Sequence, residues 1–159
     1  PRSGDGEQPA VVIKRRKDGK LDLDWLDITV DPKNGSKSKR SSNVGLVVMG
    51  GKGNQRFILD DRTARLGFLA TVDVLKQMII DWSPLGLTSV LIEQKAQGTA
   101  ATESLEREIA AAQLKDAQGR PIVVKIELVE GGYGNIVCAQ LQNLGFQRLC
   151  GFQAVVVRA

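Results

Sequence analysis

The feature that most constrains this chain is a change of hydrophobic period partway along it. Between Leu26 and Asp61, apolar residues come in short runs separated by turn residues. "LDITVD" alternates and is β-branched, and "VGLVVMG" is nearly continuous and bounded by glycine. "GKGN" reads as a tight turn, and "RFILDD" follows as its partner strand. Such runs predict three antiparallel strands in a meander. From Phe68 the period becomes helical: Phe68, Leu69, Val72, Leu75, Ile79 and Trp82 predict an amphipathic helix that ends near Ser83-Pro84. "TSVLIE" returns to strand, Thr99 to about Gln113 to helix, "IVVKIELV" to strand, "GNIVCAQLQNLGF" to helix and "FQAVVV" to strand. The expected order is therefore β-β-β-α-β-α-β-α-β, an α/β fold with a mixed sheet flanked by helices.

A chain of 159 residues, 42% hydrophobic and 25% charged, suits one soluble domain. Residues 1–20 read as a flexible N-terminal segment or linker and residues 21–159 as the domain, with "AVVIKRR" open between a short edge strand and linker. The chain begins at Pro1 rather than Met, which reads as a piece of a longer polypeptide. No apolar run is long enough to span a bilayer, and the N-terminus lacks the apolar centre of a signal peptide.

The sharpest exclusion is that the chain has no histidine. The usual Ser-His and Cys-His nucleophile systems and the common zinc sites are thereby removed. Cys138 and Cys150 read as small buried apolar residues in a reducing compartment. Acid–base or metal chemistry must then rest on carboxylates, lysines or backbone.

Two carboxylates stand out by position. The first strand of the meander ends in Asp31, followed by Pro32, and the strand after the first helix ends in Glu93, followed by Lys95 and Gly98. Where these two strands lie side by side and parallel, the acids emerge at one end of the sheet, where open α/β sheets bind ligands. One reading is two ordinary strand-end acids. The other is a metal site: facing carboxylates repel unless a cation or proton lies between them, and all-oxygen ligands favour Mg²⁺ or Mn²⁺. "KRRKDGK" (Lys14–Lys20) and "KNGSKSKR" (Lys33–Arg40) hold the densest positive charge, either as solvated loops or as contacts to a polyanion. "VEGGYGN" (Val129–Asn135) lacks the Lys-Ser/Thr ending of a Walker loop and reads as a glycine-rich turn or an anion-binding loop. Trp25 and Trp82 read as core or rim residues, and 4% aromatic content disfavours a binder that works by base stacking.

The stretch "ITVDP…GLVVMG…RFILDD…VLIEQKAQGTAATESLEREI" resembles the RNase H-like nuclease domain of phage terminase large subunits. The Asp31-Pro32 pair and the acid-x-Lys-x-x-Gly element at Glu93, Lys95 and Gly98 carry the resemblance, which covers roughly residues 26 to 126. It implies an RNase H-like fold and Mg²⁺- or Mn²⁺-dependent cleavage of double-stranded DNA during viral genome packaging, with two ions at the site. It implies Asp31 and Glu93 as metal ligands, with Lys95 beside the metals or the scissile phosphate. Lys33, Lys37, Lys39, Arg40 and Lys95 would contact DNA. It also implies partners among other packaging-motor components, no membrane, and the host cytoplasm. The family supplies a third acid from a C-terminal segment, whereas this chain has no Asp or Glu after Glu130. Asp60 and Asp61 are the nearest substitutes, and Glu127 and Glu130 are others. With two acids alone, the alternative is a weak or inactive module that binds DNA or a packaging partner. No Walker A sequence is present, so ATPase activity is not expected.

Overall fold

The structure is a computed structural model, described here for residues 11–32, 43–94, 99–130 and 152–157. Among these residues, seven strands and two α-helices follow in the order β1 (Val11–Ile13), β2 (Trp25–Asp31), β3 (Gly45–Lys52), β4 (Gln55–Asp61), α1 (Phe68–Trp82), β5 (Ser89–Gln94), α2 (Thr99–Ala111), β6 (Lys125–Glu130) and β7 (Phe152–Val157). They form one sheet in the order β1-β7-β4-β3-β2-β5-β6. Within the five strands β4-β3-β2-β5-β6, only β3 runs against the others. This is the mixed sheet that the period change predicts. The expected helix at residues 134–146 and the glycine-rich loop at 131–135 lie outside the described residues, as do Cys138 and Cys150.

The helices take one face of the sheet. Leu26, Ile28 and Val30 of β2 and Val90 and Ile92 of β5 join Leu75, Met78, Ile79 and Trp82 of α1 and Leu105 and Ile109 of α2 in the main core. Each strand contributes alternate residues to it, as the pleat requires. On the opposite face Val47 and Met49 form a second buried cluster with Trp25 and Ile58. Deep burial of Leu75 and Ile79 makes truncation there costly, about 2–5 kcal/mol for either residue changed to Ala.

Gly50 and Gly51 let β3 lie between two large side chains. A Cβ at Gly51 would run into the Trp25 indole, and one at Gly50 would meet Leu23 at 2.6 Å. Helix α1 stops at a short 3₁₀ turn, Ser83–Leu85, with Pro84 inside it and Gly86 at φ 103° closing it in the left-handed region.

Two expectations are revised. Phe68 and Leu69, placed on the apolar face of α1 by spacing, are 42% and 76% exposed. They occupy the first turn, while Thr71, Val72, Leu75, Met78, Ile79 and Trp82 make the buried stripe. The segment expected to be a flexible leader also divides. Residues 1–10 lie outside the description, but β1 pairs in parallel with β7 and Ile13 is buried in the main core. Residues 14–22 then fold as a hairpin in which Arg15 bridges Leu21, so the fold includes residues before position 21.

Candidate metal centre

Strands β2 and β5 bring the two singled-out acids together. They pair in parallel with Asp27 opposite Ser89, Ile28 opposite Val90, Thr29 opposite Leu91 and Val30 opposite Ile92. Asp31 and Glu93 are each the next residue, so they stand at equal register on neighbouring strands, whose spacing is about 4.8 Å. Both point away from the helices, because the residues just before them, Val30 and Ile92, enter the main core. Both are deeply buried, at 5% and 3% exposure. The parallel crossover through α1 produces this meeting: 62 positions separate the acids in sequence, and β5 returns beside β2.

The neighbouring acids fare differently. β4 carries an irregularity against β3: Met49 pairs with Ile58, but Val48 pairs with Asp60 and Val47 with Asp61. Leu59 is the extra residue, and such a bulge reverses the facing of the residues after it. Asp60 therefore lies on the helix side with Val48, and Asp61 on the side of Val47 and Met49. Asp60 Oδ2 accepts from Arg62 Nε at 2.9 Å and from Trp82 Nε1 at 3.3 Å. Arg62 Nη2 also donates to Asp81 Oδ2 at 2.9 Å. Burial works against the Arg62 charge, but Asp81 and Asp60 outweigh it and hold the guanidinium more firmly protonated than usual. Asp60, expected to support the metal, thus stands on the helix side, where its contacts tie β4 to α1. Asp61 shares the face of Asp31 but is exposed, and its Oδ1 accepts the Thr63 backbone N–H at 2.9 Å. Two strand steps across and two residues along separate it from Asp31, about 12 Å between Cα atoms.

Glu127 stands on β6 opposite Leu91, and Lys125 Nζ lies 3.4 Å from its Oε2. Glu130 is registered with Gln94. No group of three metal-ligating side chains occurs among the described residues. Lys33, Lys37, Lys39, Arg40, Lys95 and Gly98 lie outside them.

Two further residues line the face of Asp31. Thr29 is buried, and its hydroxyl donates to the Val47 carbonyl at 3.3 Å. Asp27 accepts from the Thr88 hydroxyl at 3.0 Å. Burial pushes the Asp27 carboxyl above its ordinary range, the Thr88 hydrogen bond opposes this, and the nearby Glu127 charge adds to it. The signal was present in the sequence as the i, i+2 spacing of Asp27, Thr29 and Asp31.

A hard divalent cation fits the chemistry of the Asp31 and Glu93 donor set, which offers carboxylate oxygens at equal register on a rigid sheet. The molecule is thus an α/β domain with a mixed sheet and a buried acidic pair at the ends of two adjacent parallel strands. No family model matches the sequence, nor does any curated protein. Among solved structures the chain is similar to the human cytomegalovirus terminase nuclease domain, at 16% identity over 77% of each chain and a TM-score of 0.45. The same domain soaked with Mn and bound to an inhibitor gives 17% identity over 77% of this chain and 74% of that one, with a TM-score of 0.44. Thermus thermophilus RuvC in complex with a Holliday junction substrate gives 10% identity over 76% and 77%, with a TM-score of 0.42. Among the described residues no helix is long and apolar enough to cross a membrane.

Proposed function

We propose that this domain hydrolyses the phosphodiester backbone of double-stranded DNA with a divalent metal ion held by Asp31 and Glu93. The observation that carries the reading is the equal register of these two buried acids on adjacent parallel strands. Two carboxylates so placed repel unless positive charge or a proton intervenes, and all-oxygen donors suit Mg²⁺ or Mn²⁺. When bound, such ions supply Lewis acidity toward a phosphoryl oxygen, and a pair of them supports in-line displacement. The chain's own part is to fix the ligands: Asp31 and Glu93 are deeply buried on two paired strands whose alternate residues pack in the main core, so their carbon stems have little freedom. Lys95, two residues beyond Glu93, is proposed to meet the scissile phosphate, and Lys33, Lys37, Lys39 and Arg40, just after Asp31, to hold the flanking backbone. The sequence resemblance to terminase nucleases extends the proposal to viral genome packaging beside other motor components inside the host cell.

Nicking of supercoiled plasmid tests it. Cutting in Mn²⁺ that EDTA stops, and that Asp31→Asn and Glu93→Gln abolish, is the expected result. Cutting retained by both variants would sink it.

A second reading has its own support. Among the described residues no third ligand joins the pair, which favours a module that binds DNA or a packaging partner with little or no cleavage. It expects intact plasmid together with a salt-sensitive gel shift.

A further inference from the structure

We infer that the Lys14–Lys20 hairpin is a second phosphate-contact surface, at the end of the sheet remote from Asp31 and Glu93. The inference rests on the proposal that the substrate is a nucleic acid. The segment holds five cations against one carboxylate, a net of +4, which equals the net charge of the whole chain. The remaining residues therefore balance to zero, and this hairpin is one of two places where charge is concentrated.

The hairpin is built rather than loose. Arg16 N–H donates to the Lys20 carbonyl at 2.7 Å and Gly19 N–H to the Arg16 carbonyl at 3.0 Å. Asp18 Oδ1 accepts the Lys20 N–H at 3.0 Å, and Gly19 takes φ 86°, which a turn here requires of glycine. At its base Leu21 and Leu23 are buried in the main core, and Leu21 N–H donates to the Leu85 carbonyl at 2.9 Å. The acids nearby are occupied. Asp22 receives Lys52 and Arg16, and these bonds, Lys52 foremost, hold its carboxyl below the usual range. Asp24 accepts the Gly53 N–H at 2.7 Å. Arg16 is committed too, donating to the Leu23 carbonyl at 2.7 Å. The remaining cations are Lys14, Arg15, Lys17 and Lys20, all exposed, with no ion pair among the described residues.

Four cations on an ordered turn suit a ligand with regularly spaced negative charge. Residues 15–20 carry no apolar side chain that would enter a bilayer, which sets the surface apart from membrane-binding segments. Asp24 N–H bonds the Gly51 carbonyl at the start of β2, whereas Asp31 ends it. Seven residues of strand span about 20 Å, less than one turn of B-DNA, about 35 Å.

The test is the salt dependence of binding to a 30-base-pair duplex in EDTA, for wild type, a Lys14→Gln/Arg15→Gln/Lys17→Gln/Lys20→Gln variant, and a Lys14→Arg/Lys17→Arg/Lys20→Arg variant. Each lost phosphate contact lowers the slope of log K against log salt by about 0.9, so the glutamine variant should lose about 3 to 4 from the slope while the arginine variant keeps it. An unchanged slope in the glutamine variant overturns the proposal. So does an equal loss in the arginine variant, which would mark a folding effect, or tighter binding to phosphatidylserine vesicles than to duplex. Plasmid nicking by the same proteins separates the two readings. Metal-dependent cutting with an unaltered slope removes the hairpin surface alone. A lowered slope with cutting retained in Asp31→Asn and Glu93→Gln removes the nuclease site alone.

Discussion

Two pairs of acids end strands of the same sheet, and they meet opposite fates. Asp31 and Glu93 come from distant parts of the chain, yet they share one face at one register and are buried. Asp60 and Asp61 are adjacent in sequence, yet the sheet turns them to opposite faces. Asp60 is consumed by Arg62 and the Trp82 indole, and Asp61 by the Thr63 N–H. Sequence proximity thus says little about shared chemistry. In a sheet, strand neighbour and register matter more, and a single extra residue at Leu59 decides which of two aspartates looks toward a candidate site.

The contrast breaks most visibly at the first pair. Asp31→Asn or Glu93→Gln should lower Mn²⁺-dependent nicking by at least about a hundred-fold, since a metal ligand should matter at least as much as the outer-shell partners whose loss costs 10–100-fold. Differential scanning fluorimetry gives an independent readout. Mn²⁺ should raise the Tm of wild type and leave both variants unmoved, because a ligand stabilises only the fold that binds it.

Asp60→Asn should behave in the reverse manner. Urea unfolding should show a loss of about 1 kcal/mol as the Arg62 and Trp82 bonds weaken, with metal-dependent nicking at the wild-type rate. A large loss of nicking at wild-type stability would place Asp60 with the first pair after all.

Asp27 sharpens the comparison through pH. The folded chain holds the Asp27 proton more tightly than the unfolded chain. As pH rises from the ordinary aspartate range, about 3.9, the unfolded state releases its proton first, and stability falls through the raised folded value. Asn carries no such cost and can still accept from Thr88. Asp27→Asn should therefore be more stable at pH 7 by about 0.5 kcal/mol, with the gain gone below about pH 3.5. A gain that persists in acid would point to packing rather than charge.

Asp61→Asn should change least. Stability should stay within about 0.5 kcal/mol in urea unfolding, and the Mn²⁺-induced rise in Tm should match wild type. A lost Mn²⁺ shift would bring Asp61 across the gap to Asp31.

Much of the fold was legible in the chain because its signals are local. Alternation in "LDITVD", the continuous run "VGLVVMG" and the 3.6-residue spacing from Val72 to Trp82 each report a face that must be buried, and each element formed where its pattern lies. The first turn of α1 misled, because spacing marks a stripe but not how far the sheet beneath it extends. The leader misled for a related reason: seven charged or glycine residues in "KRRKDGK" read as solvent-loving, while Ile13, Leu21 and Leu23 on either side anchor them to the core.

By itself, the sequence determined the described strands and helices from β2 to β6, their order and the chemistry on offer: without histidine, the strand-end donors are carboxylate oxygens. The tertiary structure alone decided which oxygens stand together. The crossover through α1 set Glu93 beside Asp31, and the bulge at Leu59 sent Asp60 to the helices. The physical reason is that hydrophobic period is written in neighbours three or four residues apart. Register is fixed by hydrogen bonds between strands dozens of residues apart, and no local pattern encodes it.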